Sequence, residues 1–162
     1  MEQQDIIISR DLSQSLEQAL DGLAYDRLFV LTDETTHEKC WPLIARLTAM
    51  KKAEHKDLGT LADVWRALGQ GGGTRHSLLV NLGGGMVTDL GGFAASTFKR
   101  GIAYINIPTT LLAMVDAAVG GKTGINFDGL KNEVGVFSPA ASVVIDTEFL
   151  KTLDSKNLRS GY

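Results

Sequence analysis

Short apolar runs alternate with helical patterns along this chain, and that alternation limits the folds open to it. Five runs have the uninterrupted apolar character of buried strands: residues 6–8, 28–31, 78–80, 104–107 and 143–145. Strands that are apolar on both faces and alternate with helices predict a mostly parallel sheet covered by helices on two sides. The predicted fold class is therefore α/β.

Three amphipathic helices are predicted between the first strands. The first has apolar residues at helical spacing behind two candidate N-caps, Asp11 and Ser13; those residues are Leu12, Leu16, Leu20 and Leu23. The next two are marked by Trp41, Ile44 and Leu47, and then by Leu58, Leu61, Trp65 and Leu68. The glycine-rich stretch 69–75 follows a helix, which favours a helix C-cap and connector over a ligand-binding loop.

Composition excludes several classes of protein. The 162 residues match one domain, which we assign to residues 1–162. A net charge of −3 argues against a nucleic-acid surface built on bulk positive charge.

No apolar run is long enough to span a membrane, and the first residues lack the pattern of a signal peptide, so we expect a soluble, cytoplasmic protein without nucleic-acid or membrane partners. Cys40 is the only cysteine and the three histidines are scattered, which predicts no disulfide and no zinc site within the sequence.

Glycine points to the part of the chain where chemistry is expected. Of 18 glycines, 15 lie between Gly69 and Gly135. The run 83–85 follows a predicted strand and precedes a predicted helix, a placement that leaves backbone N–H groups free to bind phosphate. The spacing does not fit the G-x-G-x-x-G dinucleotide fingerprint. A tight strand-to-helix turn, with Asp89 in the first turn complementing the helix dipole, is the other interpretation.

Two later segments carry further candidate groups. Thr109 and Thr110 lie at a predicted strand-to-helix boundary ahead of Asp116, where threonine is also a common N-cap. Lys122 follows a glycine pair and Lys131 precedes Asn132. Both lysines could bind phosphate or carboxylate, although surface lysines are usually only solvated.

Taken together, these segments resemble the 3-dehydroquinate synthase family of sugar-phosphate cyclases. The matching motifs, in order, are Gly83-Gly-Gly-x-x-x-Asp89, Arg100-Gly101, Pro108-Thr-Thr-Leu-Leu-Ala-Met-Val-Asp116, Gly120-Gly-Lys-Thr123, Lys131-Asn132 and Phe149-Leu-Lys-Thr-Leu153. Iron-dependent alcohol and glycerol dehydrogenases share the first motif and the general fold, whereas the later motifs are specific to the cyclases. The resemblance implies a Rossmann-like N-terminal domain that binds NAD, with a C-terminal helical domain absent from this sequence.

The resemblance also implies cofactor contacts. The residues expected to bind NAD are Asp33, Lys56, Gly83, Gly84, Gly85, Met86, Val87, Thr88, Asp89, Thr109, Thr110, Lys122, Lys131, Phe149, Leu150, Lys151 and Thr152. The segment 51–56 would line the cofactor as well. It departs from the family pattern, since Lys56 fits but Glu54 lies one place late. Thr35 likewise replaces a commoner asparagine near Asp33.

The reaction implied is conversion of 3-deoxy-D-arabino-heptulosonate 7-phosphate to 3-dehydroquinate and phosphate, a lyase step of the shikimate pathway to chorismate and aromatic amino acids. The residues implied to act on the substrate are Asp116, Lys122, Lys131, Asn132 and Arg100, the last reaching the substrate phosphate from the same or a neighbouring subunit of a homodimer. Leu130 replaces the family's usual glycine, so the backbone of that loop is expected to differ.

The resemblance places the ligands of a zinc or cobalt ion after Tyr162, so no metal ligand is predicted in this sequence and the chain alone is expected to be inactive. Two alternatives remain open. One is another cyclase, of the 2-deoxy-scyllo-inosose, valiolone or aminodehydroquinate type. The other is a nucleotide-binding or regulatory domain without catalysis.

Overall fold

The central element is a parallel sheet. The computed structural model describes residues 4–45, 54–57 and 60–159. Its sheet strands are β1 (Asp5–Ile8), β2 (Leu28–Thr32), β3 (Glu54–Asp57), β4 (Leu78–Gly83), β5 (Ala103–Pro108) and, after a hairpin, β8 (Ser142–Ile145). They lie in the order β1-β8-β5-β4-β2-β3 and every neighbouring pair is parallel. The predicted α/β class and all five predicted strands are confirmed.

Within the described residues, six α-helices connect or flank these strands. They are α1 (Leu12–Asp21), α2 (Glu34–Lys39), α3 (Trp41–Ala45), α4 (Leu61–Gln70), α5 (Gly85–Thr97) and α6 (Ser155–Arg159). Shorter helical turns span Phe98–Arg100, Ala113–Ala117 and Thr147–Thr152. No helix in the described ranges is long and apolar enough to cross a membrane.

The predicted helix boundaries are mostly confirmed. Asp11, rather than Ser13, caps α1 by accepting a hydrogen bond from the Gln14 N–H. α3 begins at Trp41, and Leu47 and Leu58 lie outside the described residues. α4 ends at Gln70 with Gly71 as its C-cap, which confirms the glycine-rich stretch as a connector. α2 is an addition, since its sequence has no apolar periodicity.

Each face of the sheet has its own core. On one face, Leu16 and Leu20 of α1 and Ile44 of α3 pack with Val30 and Val80. On the other face, residues of α4 and α5 pack against Phe29, Leu31, Leu79 and Val143; they are Val64, Leu68, Val87, Ala94 and Ala95. Helices therefore cover both faces, as the apolar strands require.

The order of strands reverses between β2 and β4. From β2 the chain proceeds outward to β3 through α2 and α3, then returns to β4 on the other side of β2 and continues through α5 to β5. The connections of β2 and β4 thus leave on opposite faces of the sheet. In open parallel sheets, the crevice at such a reversal, at the carboxyl ends of the strands, is where ligands bind.

A separate antiparallel hairpin lies beside the sheet. It consists of β6 (Ile125–Phe127) and β7 (Leu130–Val134), joined by Asp128 and Gly129 with φ of +53° and +76°. Two positive φ values are typical of a type I′ turn, for which Asp-Gly is a favoured sequence. Past β7, the Thr123 N–H and hydroxyl both donate to the Val136 carbonyl, at 3.1 and 2.7 Å. This contact connects the hairpin to the segment that carries Lys122.

Replacing Gly135 by alanine is expected to break that contact. A Cβ at position 135 would lie 2.0 Å from the Thr123 carbonyl oxygen, a backbone atom that cannot move alone. We expect Gly135→Ala to lower the free energy of unfolding by about 1–3 kcal/mol, measured by urea denaturation.

The matched control is Gly22→Ala. A Cβ there meets nothing within 4 Å, and the φ of −76° suits alanine. Its free energy of unfolding should change by no more than about 1 kcal/mol. Equal effects of the two substitutions would contradict the contact.

Candidate functional site

The loops that follow four parallel strands meet at the carboxyl edge of the sheet. Asp33 follows β2, the glycine run follows β4, Thr109 and Thr110 follow β5, and the segment 147–152 follows β8. β2, β4, β5 and β8 are consecutive in the sheet. Most of the residues predicted to bind the cofactor therefore lie at one edge, around the point where the strand order reverses.

The glycine run forms the start of α5. Gly84 is the N-cap, and no side chain in the described part of the chain caps this helix end. The N–H groups of the first helical residues point out of the helix without intrahelical acceptors, together with the positive end of the dipole. A Cβ on Gly83 would lie 2.6 Å from Val87 Cγ2, and one on Gly84 would lie 3.0 Å from Thr110 Cγ2. Only glycine lets the backbone approach these two side chains so closely. The open helix end suits an anion such as phosphate.

The rest of this predicted segment lies along α5. Val87 and Thr88 are buried, whereas Met86 is exposed at the first turn. Asp89 is the fifth residue of the helix, so the expectation that it complements the dipole from the first turn is wrong. The helix begins at Gly85, within the glycine run and earlier than the sequence indicated, so Asp89 lies past its first turn.

Asp89 instead faces Asp116 across the cleft between α5 and the hairpin, which both residues line. Burial, together with the negative charge of Asp116, raises the pKa of Asp89 to about 6. Burial also raises the pKa of Tyr104 to about 12, with the charge of Asp89 contributing. A buried carboxyl group next to a second negative charge can hold a proton near neutral pH.

The β5 loop has the two threonines in different environments. Thr109 is buried and its N–H donates to the Gly83 carbonyl at 3.0 Å, which ties the β5 loop to the glycine run. The Thr110 hydroxyl accepts from the Ala113 N–H at 3.2 Å, so Thr110 caps the following turn, one of the two interpretations of this position. That turn, Ala113–Ala117, is π-helical and presents Asp116 at the surface.

The cleft between α5 and the hairpin has a volume of about 500 Å³. Its charged and amide-bearing lining residues are Asp89, Asp116, Lys122, Asn132 and Glu133. Gly120 and Gly121, with φ of +93° and +77°, form the bend that precedes Lys122. The structure thus brings together two predicted anion-binding groups, Lys122 and Asn132, with the two carboxylates.

The remaining groups of the hairpin are arranged differently. Lys131 is exposed on β7 and is not part of the cleft lining. Leu130 begins β7 with ordinary φ, and the left-handed position expected of a glycine is taken by Gly129 instead. Asn132 has a φ of +53°, a conformation that asparagine tolerates, and its N–H donates to the Asn126 side chain at 3.0 Å.

The predicted cofactor residues that follow β2 and β8 form contacts within their own segments. Asp33 caps α2, and its carboxylate accepts from the Thr36 N–H at 2.7 Å and the Thr36 hydroxyl at 2.9 Å. In the β8 loop, Phe149 is buried, Leu150 is half-buried and Lys151 pairs with Glu148 at 3.1 Å.

Thr152, in the same loop, lies 3.6 Å from the buried Cys40 Sγ. Burial raises the pKa of that thiol. Lys56 is described only as part of β3, and residues 51–53 lie outside the described residues.

Arg100 is the one predicted residue at the other end of the sheet. It follows α5 and precedes β5, at the amino edge, and has a φ of +69°. Within one chain the structure does not bring Arg100 to the cleft.

Several lining residues of the cleft were not predicted from the sequence, among them Glu133, Val136 and Phe137 of the hairpin and the segment after it. A signal for the hairpin was present. Apolar residues alternate on both sides of Asp128-Gly129, at Ile125, Phe127, Leu130 and Val134, and a central Asp-Gly pair in such a pattern is typical of a hairpin. Among the described residues, no group of three or more His, Cys, Asp and Glu side chains could hold a metal ion.

Comparison with known proteins identifies relatives of the whole chain. Residues 46–160 match the family model described as 3-dehydroquinate synthase N-terminal. A 3-dehydroquinate synthase of Parabacteroides distasonis is 56% identical over 100% of this chain and 48% of its own length. One of Pyrococcus furiosus is 45% identical over 96% of this chain and 48% of its own length. The chain therefore spans about half the length of these curated relatives.

A solved structure is similar over the same extent. The 2-epi-5-epi-valiolone synthase of Streptomyces hygroscopicus, solved with NAD+ and Zn2+ bound, superposes with a TM-score of 0.85 at 32% identity. The superposition covers 99% of this chain and 48% of that one. The predicted Rossmann-like fold of the dehydroquinate synthase type is thereby confirmed.

The carboxyl pair generates a prediction about stability. Because the pKa of Asp89 is about 6 in the folded chain and lower in the unfolded one, the folded state binds this proton more tightly. Stability is therefore lost as the pH rises from about 4 to 6. Replacing Asp89 by asparagine removes this cost. We expect Asp89→Asn to raise the free energy of unfolding at pH 7.5 by about 1–2 kcal/mol, after a discount for partial solvent exposure.

Urea denaturation at pH 7.5 and 4.5 measures the effect, and the gain should shrink to less than half at the lower pH. Asp63→Asn is the matched control, because hydrogen bonds from Thr60 lower the pKa of Asp63. Its substitution should destabilise the chain at pH 7.5. An Asp89→Asn gain that does not depend on pH would contradict the assignment.

Proposed function

The chain belongs to the 3-dehydroquinate synthase family, matching its N-terminal model over residues 46–160, and on this premise we propose that it is the NAD-binding part of a 3-dehydroquinate synthase. The observation that carries the proposal is the open start of α5. It is uncapped by any described side chain, requires glycine at its N-cap for close approach, and lies beside the strand-order reversal.

The residues at the carboxyl edge fit a dinucleotide. The N–H groups at Gly84, Gly85 and Met86 would bind the pyrophosphate, and Asp89 would accept hydrogen bonds from a ribose. Asp33 and Lys56 would contact the adenosine side. Thr109 and Thr110 would lie beside the nicotinamide, with residues 149–152 lining the cofactor. When bound, NAD supplies a reversible acceptor of hydride.

The cleft next to this edge fits an anionic sugar substrate. Lys122 and Asn132 line it and would bind phosphate or carboxylate groups, with Lys131 the neighbour of Asn132 on β7. Asp116 would orient the reacting hydroxyls. The carboxyl group of Asp89, with a pKa of about 6, can take up or release a proton close to neutral pH, which suits a step that acidifies a carbon-bound proton.

The substrate we propose is 3-deoxy-D-arabino-heptulosonate 7-phosphate, with 3-dehydroquinate and phosphate as products, in the shikimate pathway. Two relatives named 3-dehydroquinate synthase, 56% and 45% identical, favour it. A valiolone-type cyclase is the second candidate, favoured by the 32% identical valiolone synthase. Phosphate release from 3-deoxy-D-arabino-heptulosonate 7-phosphate, measured on the whole enzyme and not on these 162 residues, distinguishes the two candidates.

Divalent metal chemistry is proposed for the whole enzyme only. The valiolone synthase structure holds Zn2+, but the described residues of this chain offer no group of ligands for such an ion, so we derive no step through it. Since the relatives are about twice as long, we expect the 162 residues alone to bind the cofactor without turnover.

Arg100 is proposed to act across a homodimer. It lies at the amino edge of its own sheet, away from the cleft that the other substrate residues line. If Arg100 binds substrate phosphate, it must reach the site of a neighbouring chain. The exposed apolar side chains of the hairpin, such as Phe127 and Leu130, are consistent with self-association.

A calorimetric titration tests the cofactor site. We expect the chain to bind NAD with a Kd between about 10 μM and a few mM, because the relatives are about twice as long and their other half would add contacts to the cofactor. Gly84→Val should weaken binding at least tenfold, since a side chain there would block the approach of the phosphate and press on Thr110. Gly22→Ala, far from the edge, should leave the Kd unchanged. Unchanged affinity in Gly84→Val would contradict the proposed phosphate site.

A further inference from the structure

Two asparagine side chains are buried beneath the cleft. Asn81 of β4 and Asn106 of β5 are direct partners in the sheet register, and they are 0% and 5% exposed. Burying an amide is unfavourable unless it is hydrogen-bonded. The Asn81 Nδ2 donates to Asn106 Oδ1 at 3.0 Å, and the Asn106 Nδ2 donates to the Ala118 carbonyl at 3.1 Å.

The Ala118 carbonyl lies at the end of the π-helical turn. The Ala118 N–H donates to the Ala113 carbonyl at 3.0 Å, five residues back, which closes that turn. A π turn is less favourable than an α turn and persists where neighbouring groups hold it, often at functional sites. The last carbonyls of a helical turn need hydrogen-bond donors from outside it. Asn106 supplies the donor for the carbonyl of Ala118, which lies two residues after Asp116.

The same pair contacts α5. A Cβ at Gly91 would lie 1.9 Å from Asn81 Oδ1, so the oxygen occupies space that any other residue would fill. The oxygen has no hydrogen-bond partner among the described residues, and its position against α5 leaves Nδ2 facing Asn106. Gly91 lies two residues after Asp89. The asparagine pair therefore lies between the helix that carries Asp89 and the turn that carries Asp116.

We infer that Asn106, oriented by Asn81, is a positioning residue that holds the π-helical turn and so sets the place of Asp116 opposite Asp89 in the cleft. Its importance for catalysis rests on the proposed function, whereas the structural coupling does not. A side chain that only filled the core could be replaced by an apolar one of similar size without any effect on the turn.

Asn106→Leu, which keeps the volume and removes the amide, tests this on the full chain. We expect hydrogen exchange of the Ala118 amide to become at least tenfold faster, while the β4 and β5 amides of Val80 and Ile105 keep their protection. The pKa of Asp89, followed by carboxyl NMR, should fall in the same direction as in Asp116→Asn, because the facing charge moves away.

Tyr104→Phe is the matched control. Tyr104 lies on the same strand, and the substitution removes a part-buried hydrogen bond to the Ser138 carbonyl, a group of another loop. Neither readout should change in it. If Asn106→Leu does not fold, Asn81→Ala, which removes only the group that orients Asn106, should give smaller changes in the same direction.

An unchanged Ala118 exchange rate and Asp89 pKa in whichever variant folds would overturn the inference. Because neither readout needs a bound ligand, such a result is distinct from a failure of the proposed function, which would appear as absent NAD binding by the unmodified chain.

Discussion

Parallel hydrogen bonding among six strands determines where the chemistry of this chain can lie. In a parallel sheet all carboxyl ends meet at one edge, so loops that are distant in sequence become neighbours. Asp33, the glycine run and Thr109 follow different strands, yet they surround one crevice. The cofactor assignments at these strand ends depend on that arrangement, whereas those on the hairpin and that of Arg100 do not.

The second requirement is the close approach of α5 to its neighbours. Glycine at 83 makes room for Val87 of the helix itself, glycine at 84 brings the helix start against Thr110, and glycine at 91 makes room for the Asn81 amide. The same small residues thus leave the helix end open and connect it to the core. Larger side chains there would separate the anion site from the carboxylates that border the cleft.

The sequence predicted the sheet well, because buried strands and amphipathic helices carry strong periodic signals. It did not predict α2, whose sequence Glu-Thr-Thr-His-Glu-Lys has no apolar face, or β3, a polar edge strand at Glu54–Asp57. α2 instead forms through the capping box between Asp33 and Thr36. The β6–β7 hairpin was also missed, since its residues are mostly exposed and only the Asp-Gly turn marks it.

The candidate site was predictable to the extent that it follows strand ends. Residues directly after a buried strand lie where the pattern places them, as Thr109 and Gly84 show. Relations across the cleft could not be predicted, because they depend on the angle of a helix or on the path of a loop. The facing of Asp89 and Asp116 and the position of Asn106 under the π turn are of this kind.

The most direct test of a nucleotide site at the carboxyl edge is an NMR titration of the nitrogen-15-labelled chain with NAD. We predict that the amide signals of Gly84, Gly85 and Met86 shift most, together with those next to Asp33, while the amides of Lys99 to Gly101 at the opposite edge remain unchanged. Saturable NAD binding that leaves the glycine amides unperturbed, or that shifts the amino edge instead, would contradict the account.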